Sequence, residues 1–219
     1  MTRSTATPTL KRCRESVEAA LFEGAQHKIV LCPKPNKFEE TRFESSTSDE
    51  YTAIVDDDDT IEPDALKLCY AAMKLHNLDL VFTDEVQHLV QHDKKYASRR
   101  GQRSFDDIHT SAQVIHHLVM MRSAAIDPYA LELGVKFRTG VEWFFHASAA
   151  LTGKVMHIPK VGYTWSRHGQ QRSTEIMTTF NYHYSDMQKS IKERWNVNKG
   201  LIPQANIDEL ETFVQKNKW

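Results

Sequence analysis

Four consecutive aspartates, Asp56 to Asp59, follow directly on the apolar run Tyr51–Val55. Like charges crowded at the end of a strand repel one another, so they need positive charge nearby to be tolerated in a folded chain. A hard divalent cation, Mn2+ or Mg2+, takes carboxylate oxygens and completes its shell with phosphate oxygens. The residues therefore point to a metal–diphosphate site. The surroundings sharpen this reading: from Glu44 to Asp64 there are nine acidic side chains and no Lys or Arg. Between positions 94 and 103 the balance inverts, with Lys94, Lys95, Arg99, Arg100 and Arg103. The first block attracts cations and the second anions, whereas the plain alternative for either is a solvated loop.

The elements around these blocks alternate. Leu10, Cys13, Val17 and Leu21 recur at helical spacing behind Thr9, and Lys28–Cys32 (KIVLC) reads as a short strand closed by Pro33. Tyr51–Val55 is the strand that delivers the aspartates. Pro63 then opens a helix with Leu66, Cys69 and Met73 on one face, and Leu78–Thr83 is a further buried strand. Strand, helix, strand in this order predicts parallel βαβ units in an open α/β sheet. Ligands of such sheets bind at the carboxyl ends of the strands, where Asp56–Asp59 would lie. Farther on, Val141–Leu151 is a helix, Val155–Trp165 a strand or two, and Ile176, Phe180, Tyr184, Met187 and Ile191 mark a long amphipathic helix. A last short helix lies near Ile207, Leu210 and Val214.

At 219 residues the chain suits one compact domain, or a domain with a helical tail. With 40% apolar and 26% charged residues it can bury a substantial core, which excludes disorder. A formal charge of −1 gives no overall pull toward nucleic acid or an anionic membrane, so any such binding must be local. Three dispersed cysteines, Cys13, Cys32 and Cys69, have no zinc-type spacing and suit a reduced, cytoplasmic setting. No apolar run approaches the roughly 18 residues of a membrane span, and Met1–Arg14 lacks a secretion-signal core.

Specific motifs can be tested against the aspartates. An EF-hand loop starting at Asp56 would need Gly and Glu where Ile61 and Lys67 stand, so it fails. Asp56-x-Asp58-x-Thr60 is similar to the first motif of haloacid-dehalogenase-like phosphatases, with Asp56 as nucleophile. That reading lacks the small residue usual at the position of Asp59, and it gives no role to Glu142 or His168.

A longer resemblance covers roughly residues 3–174. TLKRCRESV (Thr9–Val17), SDEYTAIVDDDDTIEPDAL (Ser48–Leu66), GVEWFFHASAALTGKVMHIP (Gly140–Pro159) and YTWSRHGQQRST (Tyr163–Thr174) stand in the order of four family segments. They resemble the large inverting family 2 of nucleotide-sugar glycosyltransferases with the GT-A fold. The resemblance implies a Rossmann-like open mixed sheet flanked by helices over 1–174, and a C-terminal helical extension, 175–219, packed on the body. It implies a DxD motif at Asp56 and Asp58, with Asp58, His168 and Asp56 on the metal, and Glu142 as the catalytic base of a hexosyl- or pentosyltransferase. It further implies that Arg3, Arg42, Asp56, Asp57, Arg167 and Arg172 contact the nucleotide-sugar donor, with a UDP-sugar expected.

The sequence also departs from the family. Only Met1 stands before Thr2 where the first strand should lie, so the sheet is expected to lack it or the chain to be truncated. Cys32-Pro33-Lys34 replaces the usual base-contacting Asp, Val141-Glu142 replaces Glu-Asp, and the QxxRW signature of processive synthases is absent, which favours a single sugar transfer. Each candidate also has an ordinary explanation. Glu142 could be a helix-start acid favoured by the macrodipole, His168 a surface or core histidine, and Arg42 a surface cation. Trp143, Phe144 and Phe145 read as core, and Trp165 as a ring able to stack on an acceptor. His116 and His117 are adjacent and point apart, so they read as structural or acceptor-side. The acceptor stays open among a soluble glycan, a protein and a hydroxylated DNA base, DNA being suggested by Lys94, Lys95, Arg99, Arg100 and Arg103. A non-catalytic GT-A-like nucleotide-binding module is the remaining alternative.

Overall fold

The computed structural model describes residues 8–28, 38–47, 49–98, 103–112, 114–115, 117–168, 172–195 and 200–219. Among these residues six strands form one sheet in the order β1-β5-β3-β6-β2, with β4 pairing β3 off this path. They are β1 (Tyr51–Ala53), β2 (Thr60–Ile61), β3 (Leu80–Leu89), β4 (Lys94–Ser98), β5 (Val119–Arg122) and β6 (Val155–Arg167). Eight α-helices among the described residues accompany them: α1 (Pro8–Ala20), α2 (Phe38–Ser46), α3 (Ala65–Leu75), α4 (Phe105–Thr110), α5 (Tyr129–Phe137), α6 (Val141–Ala149), α7 (Arg172–Arg194) and α8 (Ile207–Lys216).

The central strand β3 starts with an unbroken apolar run because both its faces are covered. Leu80 and Phe82 pack into a core built with α4 to α7, while Val81 points the other way into a core built with α1, α3 and α8. Trp143, Phe144 and Phe145 are all buried in the first core, as their composition predicts, and Trp143 Nε1 donates to the Ile108 carbonyl at 2.7 Å. Met187, Ile191 and Trp195 bring α7 and its end into the same core. Helix α8 is capped by Asn206, whose Oδ1 accepts from the Asp208 and Glu209 amides, and it buries Leu210 in the second core.

The expectation of parallel βαβ units is corrected. Only β3 and β6 pair in parallel; the β1–β5, β3–β5, β3–β4 and β2–β6 pairs are antiparallel. The physical cause is β5: four residues, Val-Met-Met-Arg, slip between β1 and β3 and run opposite to both. So short a run gives no periodic signal of its own. The segment from Lys94 is also not a loop. Five of its residues form β4, which folds back on the outer half of β3. The KIVLC strand falls, except for Lys28, outside the described residues, as do Cys32-Pro33-Lys34, Arg3, Arg99, Arg100 and His116 and the side chains of Arg42 and Arg172. Cys13 and Cys69 are free and buried. Among the described residues no helix is long and apolar enough to cross a membrane.

Candidate active site

After β1 the chain runs to Asp56 and turns tightly, the Asp59 amide donating to the Asp56 carbonyl at 3.1 Å before β2 begins at Thr60. The turn splits the four carboxylates between environments: Asp57 is exposed, whereas Asp58 and Asp59 are buried. Asp59 is held at both oxygens, with Tyr163 O–H donating to Oδ2 and the Ser166 amide to Oδ1, each at 2.7 Å. Tyr163 Oη in turn accepts from the Asp56 amide at 3.2 Å. From the other side α1 clamps the turn. Arg12 Nη2 donates to the Asp58 carbonyl at 3.1 Å and to Ser166 Oγ at 3.0 Å, and Cys13 Sγ donates to the Asp56 carbonyl at 3.3 Å. Just past the end of β6, His168 Nε2 stands 2.9 Å from Asp58 Oδ2.

Electrostatically the turn is short of positive charge. Burial, with the neighbouring Asp56 charge, pushes the Asp59 carboxyl up to about 8, although the hydrogen bonds from Ser166 and Tyr163 pull against the rise. Burial and the Asp59 and Asp56 charges raise Tyr163 well above the usual phenol value. Burial, then the charges of all four aspartates, pushes the Cys13 thiol up to about 12.

Glu142 stands in the first turn of α6. The helix is launched by Gly140 at φ +70°, a conformation open to glycine at little cost, and a Cβ there would press on Met187 Cε. The three aromatic residues after Glu142 anchor α6 in the core, so Glu142 is left facing a cleft lined by Ile54, Asp56, His117, Val119, Met121, Glu142 and His146. His117 lies flat on the Tyr163 ring, centroids 4.5 Å apart and planes 14° apart. Ligand-type atoms of Asp56, Asp59 and His117 all lie within 4.8 Å of one another.

The structure thus brings Asp56, Asp58, His168 and Glu142 to one region, from segments far apart in the chain. Arg167 lies with its guanidinium 5.1 Å from the Trp165 ring centre, and Trp165 is 6.4 Å from the His117 ring. Asp57 points to solvent. Sequence reasoning missed Arg12, Tyr163 and the buried role of Asp59, and it set His117 aside. His146 had a legible signal, since it stands one turn beyond Glu142 on the same helix face. His117 had none, because only the packing of β5 and β6 carries it to the aspartates.

No family model and no curated protein matches the sequence. Among solved structures the chain is similar to S. aureus TarS 1–349, at 12% identity and a TM-score of 0.54, over 94% of this chain and 66% of that one. This protein has the GT-A fold. A second structure, S. aureus TarS 1–349 in complex with UDP-GlcNAc, matches 76% of this chain and 47% of that one at 12% identity, with a TM-score of 0.47. The chain spans between about half and two thirds of the length of these structures. The GT-A architecture leaves the dehalogenase-like phosphatase reading without support from the fold. Within this GT-A fold the ligand atoms that lie within reach of one another are those of Asp56, Asp59 and His117, carboxylate oxygens and an imidazole nitrogen that suit a hard divalent cation, while Asp58 and His168 form a separate pair at the same turn.

Proposed function

We propose that this protein is a metal-dependent glycosyltransferase that moves one sugar from a nucleotide-diphosphate donor to an acceptor hydroxyl with inversion. The observation that carries the reading is the shared cleft: Asp56 and Glu142 line it from separate elements, and the Asp58–His168 pair stands at the same turn. Asp58, His168 and Asp56 would hold Mn2+ or Mg2+, which when bound neutralises charge on the departing diphosphate. Asp57, which is exposed, would contact the nucleotide. In the same reading Arg3, Arg42 and Arg172 serve the donor as well.

Glu142 is the general base. Inverting transfer is an in-line displacement at the anomeric carbon, so the acceptor oxygen must lose its proton on the face opposite the leaving diphosphate. Glu142 lines the same cleft as Asp56, which suits that requirement. The similar TarS fragment has been solved with UDP-GlcNAc, so UDP-sugars are the first donors to test.

The test is to heat the protein with UDP, with Mn2+, and with both, and then to screen donor hydrolysis across a panel of nucleotide sugars. A melting temperature raised most by UDP and Mn2+ together, with turnover of one donor, supports the reading. Nucleotide binding with neither metal dependence nor turnover of any donor would instead leave a non-catalytic binding module.

A further inference from the structure

Strand pairing places two rows of side chains on the face of the sheet that carries Tyr163. Gln87 is the register partner of both Trp165 on β6 and Tyr96 on β4, so Trp165, Gln87 and Tyr96 line up across three strands. Two residues farther along, Leu89 is the register partner of both Arg167 and Lys94, which makes a parallel row of Arg167, Leu89 and Lys94. Side chains two apart on a strand share a face, so both rows stand on the same side as Tyr163, the partner of Glu85 in the row before them. Along the strands the order is therefore the aspartate-bound tyrosine, then an aromatic row, then a cationic row.

Both rows are open to solvent. Tyr96 is 52% exposed, Arg167 and Lys94 are exposed, and Trp165 is half-buried against His117. The exposed acid on this hairpin, Asp93, is engaged by His88 at 3.0 Å, and Lys95, the register partner of His88, stands on the opposite face of the hairpin. The rows are separated by about 6.6 Å, two residues of strand rise, and neighbouring strands by about 4.8 Å. Rings in one row and cations in the next match a chain whose flat, stackable groups and anionic groups run side by side. An uncharged glycan has no use for the cationic row, and a simple polyanion has none for the aromatic row.

We propose that the β3–β4 hairpin and the end of β6 form a docking track for a single-stranded nucleic acid, with bases over Trp165 and Tyr96 and phosphates over Arg167 and Lys94. Base stacking on aromatic rings and phosphate contacts with cations are the two terms that single-strand binding uses. This inference rests on the glycosyltransferase reading in one respect: it names the acceptor class, with a nucleotide hydroxyl carried past His117 toward Glu142. The acidic turn repels phosphate and so confines the backbone to the hairpin end of the track.

The test uses the full chain and a fluorescein-labelled single-stranded oligonucleotide of mixed sequence, followed by anisotropy at rising salt. Long-chain inorganic polyphosphate serves as competitor. The expected result is binding at low salt that weakens steeply as salt rises, with polyphosphate the poorer competitor at equal phosphate. Y96A should weaken oligonucleotide binding about tenfold while leaving polyphosphate competition unchanged. A K94E variant should weaken both and flatten the salt dependence. Melting temperatures of these surface variants, each compared with the unsubstituted chain, establish that they are folded. Absence of binding at low salt overturns the proposal. So does binding that is indifferent to Y96A and equally displaced by polyphosphate, since the track would then be a generic polyanion surface. The UDP and Mn2+ thermal shift, run on the same samples, reports the donor site separately: its survival without oligonucleotide binding overturns the acceptor class alone.

Discussion

The imidazole Nε2 of His168 lies 2.9 Å from Oδ2 of Asp58, two side chains separated by most of the sheet in sequence and joined because β2 pairs antiparallel with the end of β6. On the proposed reading both atoms turn toward one cation. Removing either by H168A or D58A is expected to lower Mn2+ affinity, measured calorimetrically with UDP present, by at least about tenfold. An unchanged affinity in both variants would move the metal elsewhere in the turn.

Glu142 supplies the second expectation. E142Q keeps the size and the helix start but cannot accept a proton, so kcat should fall about 10²–10⁴-fold while the UDP and Mn2+ thermal shift is kept. A variant with normal kcat would mean that Glu142 is only a first-turn acid of α6.

Tyr163 offers a cleaner measurement of the scaffold. Y163F keeps the ring that stacks on His117 but deletes the hydroxyl shared by Asp59 Oδ2 and the Asp56 amide. Leaving the buried Asp59 carboxyl short of a hydrogen-bond partner should cost about 1–3 kcal/mol in urea unfolding. A change within experimental scatter of zero would show that the turn holds itself without that hydroxyl.

His109 sets a pH dependence. It is wholly buried in α4, and burial depresses its pKa below the usual 6.5, although Nδ1–H donation to the Phe105 carbonyl at 3.0 Å works in the opposite direction. Above pH 6.5 neither the folded nor the unfolded chain carries this proton, so His109 adds no slope there. Below it the unfolded chain takes the proton first, and stability falls as pH drops from about 6.5 toward the depressed folded value. The H109F variant is expected to lose less stability between pH 7.5 and 5 than the unsubstituted chain, measured by urea midpoints at each pH. Superimposable slopes would remove His109 from the account.

Much of the frame was legible because it depends on periodicity. Cys13 and Val17 in α1, Leu66, Cys69 and Met73 in α3, and Met187 and Ile191 in α7 are buried where helical spacing puts them. The sheet was less legible. Strands β2 and β5 are two and four residues long, and whether a neighbour is parallel or antiparallel depends on which strand slots between, a fact no local pattern contains.

The amino-acid order alone determined that four carboxylates would sit unrelieved at a strand end, that an acid would begin the aromatic helix α6, and that cations would gather after Lys94. These follow from neighbours in the chain, where charge and periodicity act over a few residues. Tertiary structure decided which of the aspartates is buried, that His117 would lie on Tyr163, and that Tyr96 and Trp165 would share Gln87 as a partner. Those relationships need strand register and packing between distant segments, and both are set by burial of the whole core at once, not by any one stretch of the chain.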